Sequence, residues 1–198
     1  MDAGIGRAGR WAALLAAGLA MAGCGGGARY RPVSDAPVRI GQPYTVRGQT
    51  YAPRAEPFYD ALGYASWYGG ESGDRTANGE RFRPDWMTAA HRTLPLPTYV
   101  EVTALDTGRT ILVRINDRGP FARGRIIDLS KGAAEALGIR AQGHAAVRVH
   151  RVEPDERERE RLRKGKGPVV RPRVPEAVLA SLRAELASGA KAGEMGGR

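Results

Sequence analysis

Two alternating segments joined by a short turn constrain this chain more than any other feature. YVEVTAL, residues 99 to 105, and RTILVRIND, residues 109 to 117, repeat with period two, and Asp106-Thr107-Gly108 between them reads as a hairpin turn. In the second segment Ile111, Val113 and Ile115 form a wholly β-branched face, alternating with Thr110, Leu112 and Arg114. Asp117 continues the parity of the β-branched face. Arg118, Gly119 and Pro120 then stop the strand, because glycine admits positive φ and proline removes a ladder donor. A carboxyl at the mouth of such a strand is partly shielded from water, where its pKa can rise above about 3.9. The competing reading is that Asp117 only caps the turn through a side-chain to backbone bond.

Further short strands follow the same logic. Tyr64 to Gly69 is a short aromatic strand, RIIDLS (125 to 130) is another, and AAVRVHRV (145 to 152) alternates again. Ser130 is placed to cap the helix KGAAEALG, which Gly138 ends. With 27 Gly, 13 Pro and only three Phe, the composition favours many turns and short strands over a helical bundle. The expected fold is therefore mainly β: a small six-stranded closed barrel over residues 63 to 152, with one or two short helices and flexible tails.

The tails read differently from the barrel. Residues 1 to 24 open with Arg7 and Arg10, continue with an apolar run from Trp11 to Gly23, and end at Ala22-Gly23-Cys24. That run is shorter than the roughly 20 residues a membrane-spanning helix needs. It resembles a bacterial lipoprotein signal in which Cys24, the only cysteine, becomes the lipidated N-terminus. A plain secretory signal and a short buried helix are the alternatives. Gly25 follows the cysteine and no Asp does, which by lipoprotein sorting patterns points to the outer membrane of a Gram-negative bacterium, facing the periplasm. Residues 25 to 62, rich in Gly, Pro and Arg, read as a flexible tether with a strand-like PYTVRGQTYAP element. Residues 153 to 198 read as a charged, solvated run, with one short helix at 175 to 188 where Val178, Leu179, Leu182 and Leu186 share a face.

Charge and motifs exclude several classes. The net charge is +10, but no concentrated basic block interleaves with aromatics, so nucleic acid is not the expected partner. A diffuse positive charge suits an acidic polymer or a membrane surface. GGESGDRTANGE lacks the Gly-Lys-Ser/Thr ending of a phosphate loop, which rejects nucleotide binding. Three histidines without cysteine or carboxylate at ligand spacing argue against a metal site, and no cofactor is expected.

The motifs TANGE, AHRTLP, VRINDRGPF and RIIDLS, within residues 63 to 152, resemble those of the rare lipoprotein A (RlpA) family of septal lytic transglycosylases. The resemblance implies a double-psi β-barrel, related to that of expansins, acting on peptidoglycan glycan strands. It carries the family's cleft residues onto Glu80, His91 and Asp117. A lytic transglycosylase cleaves between N-acetylmuramic acid and N-acetylglucosamine without water and leaves a 1,6-anhydro ring, so one carboxyl must give a proton and then take one. Asp117 is assigned that acid/base role and Glu80 the second carboxylate, with the exchange of roles left open. His91 is read as binding sugar or orienting a carboxyl, against a hydrogen-bonded structural histidine. Trp67 and Tyr68 are candidates for a sugar-stacking platform, against core aromatics. Thr76, Asn78 and Arg118 are candidate hydrogen-bonding groups for the glycan; Thr76 and Asn78 equally suit the turn around Gly79. Asp128 is read as structural support for the cleft. Many family members carry a C-terminal SPOR domain that binds denuded septal glycan; residues 153 to 198 are too short and too charged to be one. Partners at the division site are compatible with the resemblance and specified by nothing in the sequence. A non-catalytic, expansin-like wall-binding protein is the alternative to the enzyme.

Overall fold

The computed structural model describes residues 1, 30–69 and 73–195, with side chains through residue 189. Cys24 and the signal-like segment lie outside the described residues. An N-terminal hairpin, β1 (Tyr44–Val46) and β2 (Gln49–Tyr51), is followed by β3 (Asp60–Tyr68), β4 (Thr88–Ala90), β5 (Thr98–Ala104), β6 (Thr110–Asp117), β7 (Arg125–Ser130) and β8 (His144–Arg151). β3 to β8 pair in the order β4-β7-β3-β8-β5-β6, and β4 also pairs with β6, which closes a six-stranded barrel. The β3–β7 and β4–β6 pairs are parallel and the others antiparallel. Closure leaves these strands no free edge along most of their length.

The β-branched face of β6 supplies much of the core. Ile111, Val113 and Ile115 are fully buried with Val100, Val102, Ile127, Leu129, Val147 and Val149. Each such side chain contributes about 1.5–3 kcal/mol on burial. β5 and β6 are buried on both faces, because elements outside the barrel cover their outer surface. One is α1 (Lys131–Leu137), which packs on β3, β5, β6 and β7. Its start and stop are those expected: the Ser130 hydroxyl accepts from Ala133 N–H, and Gly138 ends the helix at φ 86°. Gly132 is required for this docking, since a Cβ there would lie 2.4 Å from the Asp85 carbonyl oxygen.

Both flanking segments depart from expectation. The segment read as a tether lies along the barrel. Arg31 N–H donates to Gly79 C=O (2.7 Å), Arg39 forms a β-bridge with Leu96, and Arg54 N–H donates to Thr93 C=O (3.0 Å). The strand-like element within it is the β1–β2 hairpin. At the other end, α2 (Glu156–Arg163), β9 (Val169–Val170) and α3 (Glu176–Met195) form where a solvated run with one short helix was expected, giving three α-helices in place of one or two. β9 extends the ladder at Ile111 and Leu112, and Leu162 and Leu179 are buried. These segments are held by backbone bridges, ion pairs and isolated leucines. The bridges and ion pairs leave no periodic apolar signature in a sequence, whereas the apolar face expected at 175 to 188 does form within α3.

Candidate active site

Asp117 stands at the end of β6, where the parallel register with β4 skips a residue between Ala89↔Ile115 and Ala90↔Asp117. Such a bulge re-aims a side chain at a barrel rim. The backbone is pinned there: Asp117 C=O accepts from His91 N–H at 3.0 Å. The carboxylate Oδ1 accepts backbone N–H bonds from Ala77 and Arg118, both at 2.8 Å. Oδ2 takes no well-formed hydrogen bond among the described residues. Burial pushes the Asp117 pKa up, against the lowering effect of the two backbone donors, the nearby Tyr68 hydroxyl and Arg118, and the net direction is upward. The strand-mouth position thus has the electrostatic consequence expected of it.

Asp117 lines a cleft of about 370 Å³ together with Tyr68, Arg75, Arg118, Arg125 and Asp128. Asp128 is opposite Ser66 in the parallel β3–β7 ladder; its Oδ1 accepts from the Ser66 hydroxyl at 2.6 Å, and Arg125 pairs with it at 3.4 Å. Tyr68 is stacked on Phe82, with centroids 4.8 Å apart and rings 18° from parallel. Its hydroxyl is buried without a well-formed partner, and burial and then the two carboxylates, Asp117 and Asp128, raise its pKa. The cleft is therefore a carboxyl pair around a phenol, walled by guanidinium groups.

Glu80 occupies a different environment. It is 2% exposed, and its two oxygens are saturated by four donors: Arg114 Nη1 (2.8 Å) and Nη2 (2.9 Å), Asn116 Nδ2 (2.9 Å) and Asn78 Nδ2 (2.9 Å). Arg114, 1% exposed, also pairs with Asp35 at 3.1 Å, and Arg163 from α2 pairs with the same Asp35. Burial pushes the Asp35 carboxyl up, but the bonds from Arg163 and Arg114 more than offset it and hold its pKa low. Thr76 and Asn78 build the turn above Glu80. Thr76 N–H donates to Glu80 C=O (2.9 Å), and Asn78 N–H to Asn116 C=O (3.1 Å). This turn presents the Ala77 N–H to Asp117, so Glu80, Thr76 and Asn78 reach Asp117 through the backbone.

His91 is 4% exposed and also faces away from the cleft. Its Nδ1 accepts from the N–H groups of Thr93 (3.2 Å) and Leu94 (3.1 Å), which assigns the proton to Nε2, 3.0 Å from the Tyr59 hydroxyl. Burial, then the Arg118 and Arg92 charges, push its pKa down to about 3, so the ring is neutral. Arg118 lines the cleft while its guanidinium is tied to the carbonyls of His91, Leu94 and Ile40. Trp67 and Tyr68 part company: successive strand residues face opposite sides, and the Trp67 indole N–H donates to Arg140 C=O at 3.2 Å, away from the cleft.

The structure thus brings Asp117, Tyr68 and Arg118 together in the cleft, stations Glu80, Thr76, Asn78 and His91 behind it, and leaves Trp67 on the far face. Arg114, Asn116 and Asp35 were missed as site-building residues, and Asp128 as a cleft wall. Arg114 did leave a signal, because a cation in the middle of an otherwise apolar strand requires buried partners. Among the described residues no group of three His, Cys, Asp or Glu is placed to hold a metal ion.

Residues 60–149 match the double-psi β-barrel family described as lytic transglycolase. The endolytic peptidoglycan transglycosylase RlpA of Pseudomonas aeruginosa is 53% identical over 114 residues, 57% of this chain and 33% of that protein. Its namesake in Rickettsia felis is 43% identical over 125 residues, 61% of this chain and 54% of the relative. The chain therefore spans about half or less of the length of these curated relatives. Among solved structures, an expansin of Clavibacter michiganensis aligns with 22% identity and a TM-score of 0.38, covering 49% of this chain and 52% of the expansin.

Proposed function

We propose that this chain, whose barrel belongs to the RlpA-type lytic transglycosylase family over residues 60–149, is an endolytic peptidoglycan lytic transglycosylase. Its reaction is cleavage of the β-1,4 bond between N-acetylmuramic acid and N-acetylglucosamine, with denuded strands as the preferred substrate. The observation that carries this reading is Asp117: a carboxyl whose pKa burial raises, held at one oxygen and open at the other, in a cleft with a second carboxyl. Protonated Asp117 gives its proton to the glycosidic oxygen as the C–O bond breaks. The muramyl 6-hydroxyl then attacks the anomeric carbon and returns a proton to the Asp117 carboxylate, so the 1,6-anhydro ring closes without water. Positive charge developing at the anomeric carbon requires a nearby anion. Asp128 lines the cleft and suits that task, whereas the oxygens of Glu80 are occupied by Arg114, Asn116 and Asn78. Glu80 and His91 are then positioning residues, Glu80 through the Ala77 turn and His91 through its backbone bond to Asp117.

The test is incubation of the purified protein with denuded glycan strands and mass spectrometry of the products. Muropeptide-free fragments with 1,6-anhydro ends are expected. Binding without anhydro ends would replace this reading by the non-catalytic, expansin-like one. The lipid anchor at Cys24 and a periplasm-facing outer-membrane location belong to the same reading, supported by the pattern of residues 7 to 24. Cys24→Ala is expected to release the protein from the membrane fraction or leave its signal uncleaved.

A further inference from the structure

Beside the Asp117 cleft lies a second depression, of about 590 Å³, that the mechanism above does not use. Its walls are the tip of the β1–β2 hairpin, outside the family-matched residues, and the loop that follows Pro120. Arg47, Phe121 and Ala122 line both spaces, so the two are continuous. They differ in charge. Three guanidinium groups, Arg47, Arg92 and Arg123, line the depression and no carboxylate does, whereas in the cleft the guanidinium groups of Arg47, Arg75, Arg118 and Arg125 are offset by Asp117 and Asp128. Arg47 and Arg123 are exposed and make no ion pair among the described residues.

The hairpin is fixed in place. The Tyr44 and Tyr51 rings stack at 5.4 Å, and Phe121 meets both, at 6.1 and 5.6 Å. The Arg92 guanidinium lies 5.8 Å above Tyr51, and the Tyr44 hydroxyl donates to Arg92 C=O at 2.9 Å. Arg118, the neighbour of Asp117, donates to Ile40 C=O at 3.0 Å and so ties the base of the hairpin to the cleft. Arg47 has φ 51° and Gly48 φ 78°, the left-handed pair a two-residue hairpin turn requires. Asn, Asp or Gly satisfies the first of those positions with less strain, yet this chain sets a long cation there.

We propose that this depression is a carboxylate-binding subsite for the sugar chain, taking an acidic substituent of a saccharide beyond the unit held at Asp117. Arg47 and Arg123 bind the carboxylate, and the Phe121 ring packs on the sugar's apolar face. The inference rests on the reading of the cleft as a glycan site. A denuded muramyl residue offers its lactyl carboxylate; a peptide-bearing strand offers carboxylates of the stem peptide instead.

Binding is measured with the full chain carrying Asp117→Asn, so that strands are not consumed, by calorimetry at low and high salt. The ligands are denuded strands, the same strands with carboxyls converted to neutral methylamides, and strands retaining stem peptides. Neutralised strands are expected to bind about tenfold or more weakly than denuded ones, as the loss of a charge-assisted contact implies. Adding Arg47→Gln and Arg123→Gln should abolish that difference and flatten the salt dependence, with the thermal midpoint unchanged because both side chains are exposed. Peptide-bearing strands binding as tightly as denuded ones, in an arginine-dependent way, would also support the subsite and make the peptide carboxylate its occupant. Equal affinity for charged and neutralised strands, a preference that survives loss of both arginines, or no binding to any strand would overturn it. Should the unmodified chain release no anhydro ends, the cleavage reading fails while these binding outcomes still decide the subsite.

Discussion

Asp117 and Glu80 are both carboxylates of the barrel, and they are held in opposite ways. Glu80 has four side-chain donors on two oxygens and a buried guanidinium in bidentate contact. Asp117 has two backbone donors on one oxygen and a cleft before the other. A saturated carboxylate has no oxygen left to offer a substrate. One held at a single oxygen keeps the other for a substrate, and burial raises its pKa. The difference lies in the supporting elements: the Ala77 turn and the β6 bulge leave Asp117 open, and Arg114 from inside the same strand closes Glu80.

The largest effect that could break this comparison is on rate. Asp117→Asn retains the oxygen that accepts from Ala77 and Arg118 but cannot exchange a proton, so activity on glycan should fall by roughly 10²- to 10⁴-fold. Stability should move the other way. A carboxyl whose pKa is raised in the folded state binds its proton more tightly there than in the unfolded chain, so its ionisation destabilises the fold progressively as pH rises through the raised pKa. The variant should therefore be more stable than the parent at neutral pH, and indistinguishable from it at a pH low enough to protonate the carboxyl in both states. Urea denaturation at the two pH values reads this directly, and equal activity of variant and parent would return Asp117 to the role of a turn cap.

Next in size is the loss of the buried ion pair. Glu80→Ala leaves Arg114 with the half-buried Asp35 carboxylate and the Ser34 carbonyl, which should cost about 3–5 kcal/mol of stability, seen as a lower denaturant midpoint. Pairing it with Arg114→Met should restore part of that stability; if it restores none, the two side chains do not act as a pair. His91 gives a pH-dependent effect that is absent at neutral pH. Its folded pKa of about 3 lies below the unfolded value of 6.5, so the unfolded chain takes up the proton first and stability is lost as pH falls from 6.5 towards 3. The slope from this one group is at most about 1.4 kcal/mol per pH unit. His91→Gln should flatten it, and an unchanged slope would mean the ring is not held neutral. Smallest is Arg163→Ala, which removes a partly exposed clamp between α2 and Asp35 and should cost about 1 kcal/mol or less in thermal stability, with glycan cleavage retained.

How much of this was legible depended on the kind of interaction. The barrel strands showed because alternation follows from the two-residue period of a pleated strand, and Ser130 and Gly138 marked the ends of α1 because caps require those residue types. Asp117 could be placed at a strand end by parity. Nothing local distinguished Glu80 from Asp117 as carboxylates, or Trp67 from Tyr68 as aromatics, because the distinction lies in partners 34 to 73 residues away and in which side of a closed sheet is covered. The strand-like element and the helix at 175 to 188 were expected and form as β1–β2 and within α3, but their docking, and α2, were not legible because polar bridges to remote backbone hold them.

By itself the sequence determined the mainly β architecture, the turn that ends β6 beside Asp117, the caps of α1 and the presence of Glu80, His91 and Asp117 in recognisable motifs, all set by local sterics and short periodicities. Only the tertiary structure decided which carboxylate is open and which is closed, that Asp128 lines one cleft with Asp117, and that Arg47 extends it with positive charge. Burial, pKa and hydrogen-bond saturation arise from groups that closure of the barrel brings together, and closure is a property of the whole chain.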